Sequence, residues 1–156
     1  MLMEKKENPA EEGPHPNGFD FWQDHSERFL MMAFNREGEG MVENPDGYGK
    51  KTGDCGDTIE FFLTIDGHRI KAAAYRISGC LYTYACAGTV GVLAEGRSVD
   101  EAWEISPQNV IDYLETLPAD HTHCAELAVG AFYLALSDYQ KKQGCREKDA
   151  TPQTPR

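Results

Sequence analysis

The sequence of 156 residues contains no Cys-x-x-Cys pair, little positive charge and no apolar run approaching a membrane span. A bilayer crossing needs about 20 consecutive apolar residues, so no transmembrane helix is expected. Met1-Leu2-Met3-Glu4-Lys5 is not followed by an apolar stretch, so no secretory leader is expected either. Lys and Arg total 15 against 26 Asp and Glu, for a net charge of −11. That balance argues against a nucleic-acid binder, which usually carries a basic footprint. It suits a protein that docks on basic partner surfaces. The absence of Cys-x-x-Cys removes the simplest zinc-ribbon and thioredoxin readings. The five cysteines are odd in number and irregular in spacing. Without a leader they are expected to be reduced thiols in the cytoplasm, serving as ligands or reactive groups.

What is present is one domain's worth of chain. Residues 1–18 are rich in Glu, Lys, Pro and Gly and read as a disordered acidic extension. Residues 143–156 read as a disordered tail. The interval 19–142, about 125 residues, is long enough to bury its own core. Asp20, with Gln23 three residues on, opens an amphipathic helix to about Asn35, whose apolar stripe is Trp22, Phe29, Leu30, Ala33 and Phe34. Arg36 to Gly56 is Gly/Asn/Pro/Asp-rich loop with room for a short edge strand.

Ile59, Phe61, Leu63 and Ile65 alternate along a strand, and Asp66-Gly67 is a two-residue turn signal. The return strand is His68 to Ile77. This turn sets Ile65 against His68, Ile59 against Ala74 and Asp57 against Arg76, and it carries Cys55 and Cys80 to one end of the sheet. Leu81 to Glu95 reads as a helix closed by Gly96, Ser98 to Glu101 as a capping box, and Ser106-Pro107 as a helix start. Asp120 is expected to cap a long final helix reaching about Lys142.

Three cysteines fall at junctions of this plan: Gly53-Asp54-Cys55-Gly56-Asp57, Gly79-Cys80 and His123-Cys124. Cys80 and Cys124 lie at helix starts, where the free N–H groups and the helix dipole favour a thiolate. Asp57 and His123 are the neighbouring candidates for a fourth ligand. Asp57 can instead pair with Arg76, or do both, and a first-turn His123 can simply be solvated. Adjacent helical residues diverge by about 100°, so His123 and Cys124 need not face one ion. Thiolates suit zinc and iron–sulfur clusters rather than magnesium or calcium. Cys86, at the wrong helical phase from Cys80, reads as core filling, and Cys145 lies too far along the helix. His15, His25, His68 and His121 have no evident partner, and solvated is their default.

Residues Asn44 to Tyr139 resemble the NifU/IscU-type iron–sulfur cluster assembly scaffold. The matching pieces are Asn44-Pro45, Cys55-Gly56-Asp57, the strand Ile59 to Ile65, Gly79-Cys80, Glu95-Gly96-Arg97-Ser98, and Leu117-Pro118 followed by His123-Cys124-Ala125-Glu126-Leu127-Ala128. The resemblance implies an α+β domain: a three-stranded antiparallel sheet with helices packed on one face, here preceded by the N-terminal amphipathic helix. It implies a scaffold and transfer protein rather than an enzyme. A transient [2Fe-2S] cluster would be built from iron and from sulfur delivered by a cysteine desulfurase, then passed to acceptor apoproteins. By position Cys55, Asp57, Cys80 and Cys124 match the family's cluster ligands and His123 its occasional histidine ligand. Cys124 is the first candidate persulfide acceptor and Cys55 the second. The same ligands could hold Zn²⁺. One branch of the family carries Leu-Pro-Pro-Val-Lys as an Hsp70-type chaperone site. This chain has Leu117-Pro118-Ala119-Asp120-His121 there, which leaves such a partner unsupported. A monomer or weak homodimer is expected. The rival readings are a zinc-dependent sulfurtransferase, which would carry stoichiometric zinc and a persulfide but no cluster, and a structural zinc domain, which would unfold on chelation.

Overall fold

The computed structural model describes residues 25–34, 36–54 and 56–150, with side-chain detail to residue 144. Helix α1 (Glu27–Phe34) precedes strands β1 (Gly47–Thr52), β2 (Thr58–Asp66) and β3 (Arg69–Ser78). Helices α2 (Leu81–Ala94), α3 (Val99–Ala102), α4 (Pro107–Leu114) and α5 (Thr122–Ala150) follow, the last entered through a 3₁₀ turn at Ala119–His121. The strands form one antiparallel sheet in the order β1-β2-β3. Helices cover one of its faces, as the resemblance implies.

Ile59, Phe61 and Leu63 alternate toward those helices and are fully buried, as the period of two dictates. α5 lies across β1 and β2, and α2 lies across β3. The approach of α5 to β1 is very close. A Cβ on Gly49 would lie 2.4 Å from the Ala131 carbonyl oxygen and 2.4 Å from the Ala135 nitrogen, and a Cβ on Gly47 2.4 Å from the Ala135 oxygen. Glycine at alternate positions of the strand, with alanine on the helix, lets the two backbones pack directly.

The hairpin differs from the expected register. The two-residue loop is Gly67-His68, because Asp66 already pairs with Arg69. Both loop residues have positive φ, 61° and 70°, the conformation of a type I′ turn. A register shift between Thr64 and Ile65 adds to this, so Ile59 pairs with Ile77, not Ala74. A slip by an odd number of residues changes which β3 side chains share the buried face. Ala73 and Tyr75 therefore line it, with Phe61 meeting Tyr75 edge-on at 6.3 Å. The expected pairing of Asp57 with Arg76 is replaced by a cross-strand ion pair of Arg76 with Glu60 at 3.1 Å.

Both sheet edges are occupied at particular positions. On β1, the Tyr48 N–H donates to Asp138 of α5 at 3.0 Å. On β3, Tyr75 exchanges backbone hydrogen bonds with Gly38 and Gly40, and Ile70 does so with Gly96 and Arg97.

The helix starts at Ser98 and Ser106 both form complete capping boxes, and Gly96 takes the left-handed conformation after α2. Asp120, by contrast, caps nothing: it lies inside the 3₁₀ turn, and α5 begins at Thr122. α5 continues to Ala150, past the expected end near Lys142 and into the segment read as a tail. Residues 1–24, including Asp20, Trp22 and Gln23 of the expected helix start, lie outside the described residues. Within them, the Ser26 hydroxyl accepts from the Phe29 N–H at 3.0 Å and opens α1.

Candidate metal centre

Cys80 is the N-cap residue of α2, and its sulfur caps none of the helix's N–H groups. The side chain is exposed at the end of the sheet, directly after β3. Cys124 projects from the first turn of α5 and is fully buried. Between them lies a residue that the sequence reading did not single out. Thr83, one turn into α2, is fully buried. Its hydroxyl donates to Asp57 Oδ2 at 2.6 Å and lies 3.7 Å from Cys124 Sγ and 3.5 Å from Cys80 Sγ. Asp57 is thus part of the same cluster, held by Thr83 rather than by Arg76. Gly79 makes room for it, since a Cβ there would stand 2.9 Å from the carboxylate.

The histidine arrangement is also unexpected. One ligand atom from each of Cys80, His121 and Cys124 lies within 4.8 Å of the other two. His121 was expected to be solvated. It instead sits in the 3₁₀ turn three residues before Cys124, on the same side of the helical path. Its ring stacks on Tyr82 with centroids 4.0 Å apart and planes 20° apart. His123, the expected candidate, is exposed, with Nε2 3.6 Å from Cys124 Sγ and its ring centroid 5.9 Å from that of His121. His25, also expected to be solvated, is buried. It stacks on Phe29 at 4.4 Å, and its Nε2 approaches the Tyr82 hydroxyl at 3.5 Å. The signal for His121 was present in the sequence as His-x-x-Cys across a helical turn. No sequence signal marks Thr83.

Cys55 lies outside the described residues, so its contribution rests on sequence position. Cys86 is buried in the core, and desolvation there pushes its thiol pKa well above the ordinary value. The side chain of Cys145 lies outside the described residues.

Two soft sulfurs, an imidazole and a nearby carboxylate form a donor set for zinc or iron, not for an oxygen-seeking cation. The site therefore defines a class: an α+β domain that gathers cysteine, histidine and aspartate at one end of a helix-covered sheet. Comparison with known proteins makes the class specific. The model of the NifU-like N terminal domain matches residues 26–146. The chain belongs to that family. It is 30% identical over 125 residues to iron-sulfur cluster assembly scaffold protein IscU 1 of Archaeoglobus fulgidus, covering 80% of this chain and 82% of that protein. It is 32% identical over 108 residues to the IscU scaffold of Haemophilus influenzae, covering 69% and 79%. Among solved structures it resembles the N-terminal NifU-like protein of Brucella abortus, with a TM-score of 0.64 at 17% identity, over 78% of this chain and 98% of that one. At that identity the structural likeness supports the fold alone.

Proposed function

We propose that this chain is a scaffold on which an iron–sulfur cluster is assembled and from which it is passed to acceptor apoproteins. The observation that carries the reading is the convergence of Cys80, Cys124 and Asp57 on the Thr83 hydroxyl, with Cys80 open to solvent. Membership of a family whose relatives are named as cluster assembly scaffolds supports it.

A [2Fe-2S] cargo bound by one chain takes four protein ligands, and stable sites usually supply four thiolates. The proposed set is Cys55, Asp57, Cys80 and Cys124, with one carboxylate in place of a thiolate. Asp57 carries two functions in this account. It completes the set when cargo is present and returns to Thr83 when cargo leaves. A ligand with a competing hydrogen bond of 2.6 Å inside the protein is displaced at lower cost than one without. Such a site fits transfer better than permanent storage.

Sulfur would arrive as persulfide from a cysteine desulfurase. Cys124 remains the candidate acceptor from the family match, with Cys55 the second. Because Cys124 is fully buried, delivery to it requires a local opening around the start of α5. The same donors can hold a single Zn²⁺ ion when no cluster is present.

Anaerobic reconstitution with ferrous iron, cysteine, a desulfurase and a thiol reductant, which supplies the electrons that turn persulfide sulfur into sulfide, tests the proposal. The expected product has the visible absorbance of a [2Fe-2S] cluster, lost in Cys55→Ser, Cys80→Ser and Cys124→Ser. A triple variant that still assembled the cluster would refute it.

A further inference from the structure

We infer that the groove between the end of α1, the outer edge of β3 and α2 is a docking site for an arginine side chain, presented by a basic segment of a partner protein. The groove lies away from the cysteines, and the inference does not rest on the scaffold reading. Gly88, which lines it, is about 12 Å along α2 from Cys80.

The groove has a volume of about 270 Å³. Met32, Ala73, Tyr75 and Val92 give it apolar walls, and no lysine or arginine among the described residues lines it. Glu37 and Glu95, both exposed, border it. Arg36, beside Glu37 in the chain, is held over the Tyr84 ring at 3.6 Å. The net charge of −11 adds to the attraction for a basic partner.

Three polar groups of the groove are left over by the fold, each for a different reason. The Met32 carbonyl belongs to the last turn of α1, where carbonyls have no partner in the helix, and no main-chain N–H of the described residues donates to it. The helix dipole makes that end negative. The ladder alternation turns the main-chain groups of Ala73 away from β2, as it does those of Tyr75. Gly38 and Gly40 take those of Tyr75, and Gly96 and Arg97 take those of Ile70, but no described main chain takes those of Ala73 between them. The Tyr75 side chain is 2% exposed, and its hydroxyl makes no hydrogen bond with a described residue. A methyl group on Gly88 would stand 3.5 Å from both that hydroxyl and the Met32 oxygen, so the two face one spot. Leaving such groups unpaired is costly, and a ligand that donates to several of them removes the cost. A guanidinium has five N–H donors in a rigid fork, no acceptor and a permanent charge, so it suits two carbonyls, a phenol and two carboxylates. An ammonium, with three donors, satisfies fewer of them. The Ala73 N–H is left for a main-chain carbonyl of the same segment.

The test is an NMR titration of the full-length, reduced, isotope-labelled apoprotein with the capped peptide acetyl-Gly-Leu-Arg-Leu-Gly-amide. Shifts should concentrate at the amides of Gly38, Ala73, Gly88 and Gly91 and shrink as salt is added. The same peptide with citrulline, the uncharged isostere of arginine, should bind at least about tenfold more weakly, the scale of one lost hydrogen bond to a charged group. Gly88→Ala fills the spot shared by Tyr75 and Met32 at ordinary contact distance and improves helix propensity. It should therefore keep the parent's thermal stability and still bind the arginine peptide at least about tenfold more weakly. Equal binding of the citrulline peptide, unchanged binding by a folded Gly88→Ala protein, or shifts confined to other surfaces overturns the assignment. Groove amides that shift when the protein alone is diluted would assign the groove to a second copy of the chain, and overturn it as well. Cluster reconstitution in the cysteine variants is a separate readout, so the groove and the scaffold reading can fail independently.

Discussion

The contact between α5 and β1 predicts opposite outcomes for two glycine-to-alanine substitutions. In Gly49→Ala the new methyl group would meet the Ala131 oxygen and the Ala135 nitrogen at 2.4 Å and the Leu134 carbonyl carbon at 2.9 Å. All three are helix backbone atoms, so no side-chain rotation relieves the clash. α5 would have to retreat by about 1 Å, loosening its packing on Phe61 and Leu63, and overpacking of this kind costs about 1–3 kcal/mol. The lower backbone entropy of unfolded alanine returns about 0.4–1 kcal/mol. The net expectation is a loss of about 1–2 kcal/mol, or about 2–8 °C in Tm for a chain of this size. Gly130→Ala also meets an atom at 2.9 Å, but that atom is Cδ of Lys51, in an exposed side chain free to swing aside. Gly130 lies within α5, where alanine is favoured over glycine by about 1 kcal/mol, so this variant should be stabilised. Urea and thermal unfolding of the two variants beside the parent protein measure both signs. A Gly49→Ala protein as stable as the parent, or a Gly130→Ala protein destabilised to the same degree, would show that the helix does not rest on the strand backbone.

Two substitutions address the Asp57 carboxylate. Gly79→Ala should push it off Thr83, and Thr83→Val should remove the hydroxyl that holds it. A hydrogen bond to a charged group contributes about 1.5–3 kcal/mol, and partial exposure of Asp57 places each loss nearer about 1 kcal/mol. Chemical denaturation of the metal-free protein checks this, and an Asp57→Ala background, which removes the acceptor, should abolish most of the Thr83→Val effect. On the open face of the sheet, Tyr48 should ionise only at about pH 12, because its hydroxyl donates to the Glu60 carboxylate. Residue-resolved NMR titration should find the Tyr48 phenol late in the parent protein and returned toward 10 in Glu60→Ala. A Tyr48 that titrates normally in the parent would exclude that bond.

Much of this architecture was legible before any coordinates. The alternation of Ile59, Phe61 and Leu63, the serine caps at Ser98 and Ser106, and Gly96 after α2 act through short-range physics, which a sequence displays directly. The hairpin register was not legible. Asp66-Gly67 and Gly67-His68 are both plausible two-residue loops, and the irregularity at Thr64 and Ile65 leaves no mark in composition. That ambiguity moved Arg76 from Asp57 to Glu60 and exchanged alanines for Tyr75 on the buried face. At the site, helix starts correctly placed Cys80 and Cys124. Thr83 was invisible because a buried hydroxyl between two helices looks like any other helical threonine. His121 was readable from its spacing to Cys124, but expecting an α-helical cap at Asp120 drew attention to the wrong feature of that turn.

The hydrogen bonds along the outer strands bear on how this protein can meet others. Asp138 takes a main-chain donor of β1, and the segments at Gly38–Gly40 and Gly96–Arg97 take those of β3. A strand from another chain would have to displace these groups before it could extend the sheet, so β-augmentation, a common mode of peptide capture, is blocked at those positions. Recognition is left to side-chain surfaces. A delivering or receiving protein would therefore read shape and charge around the exposed Cys80, and two copies of the chain cannot zip together through their strands at those positions while the sulfur stays reachable.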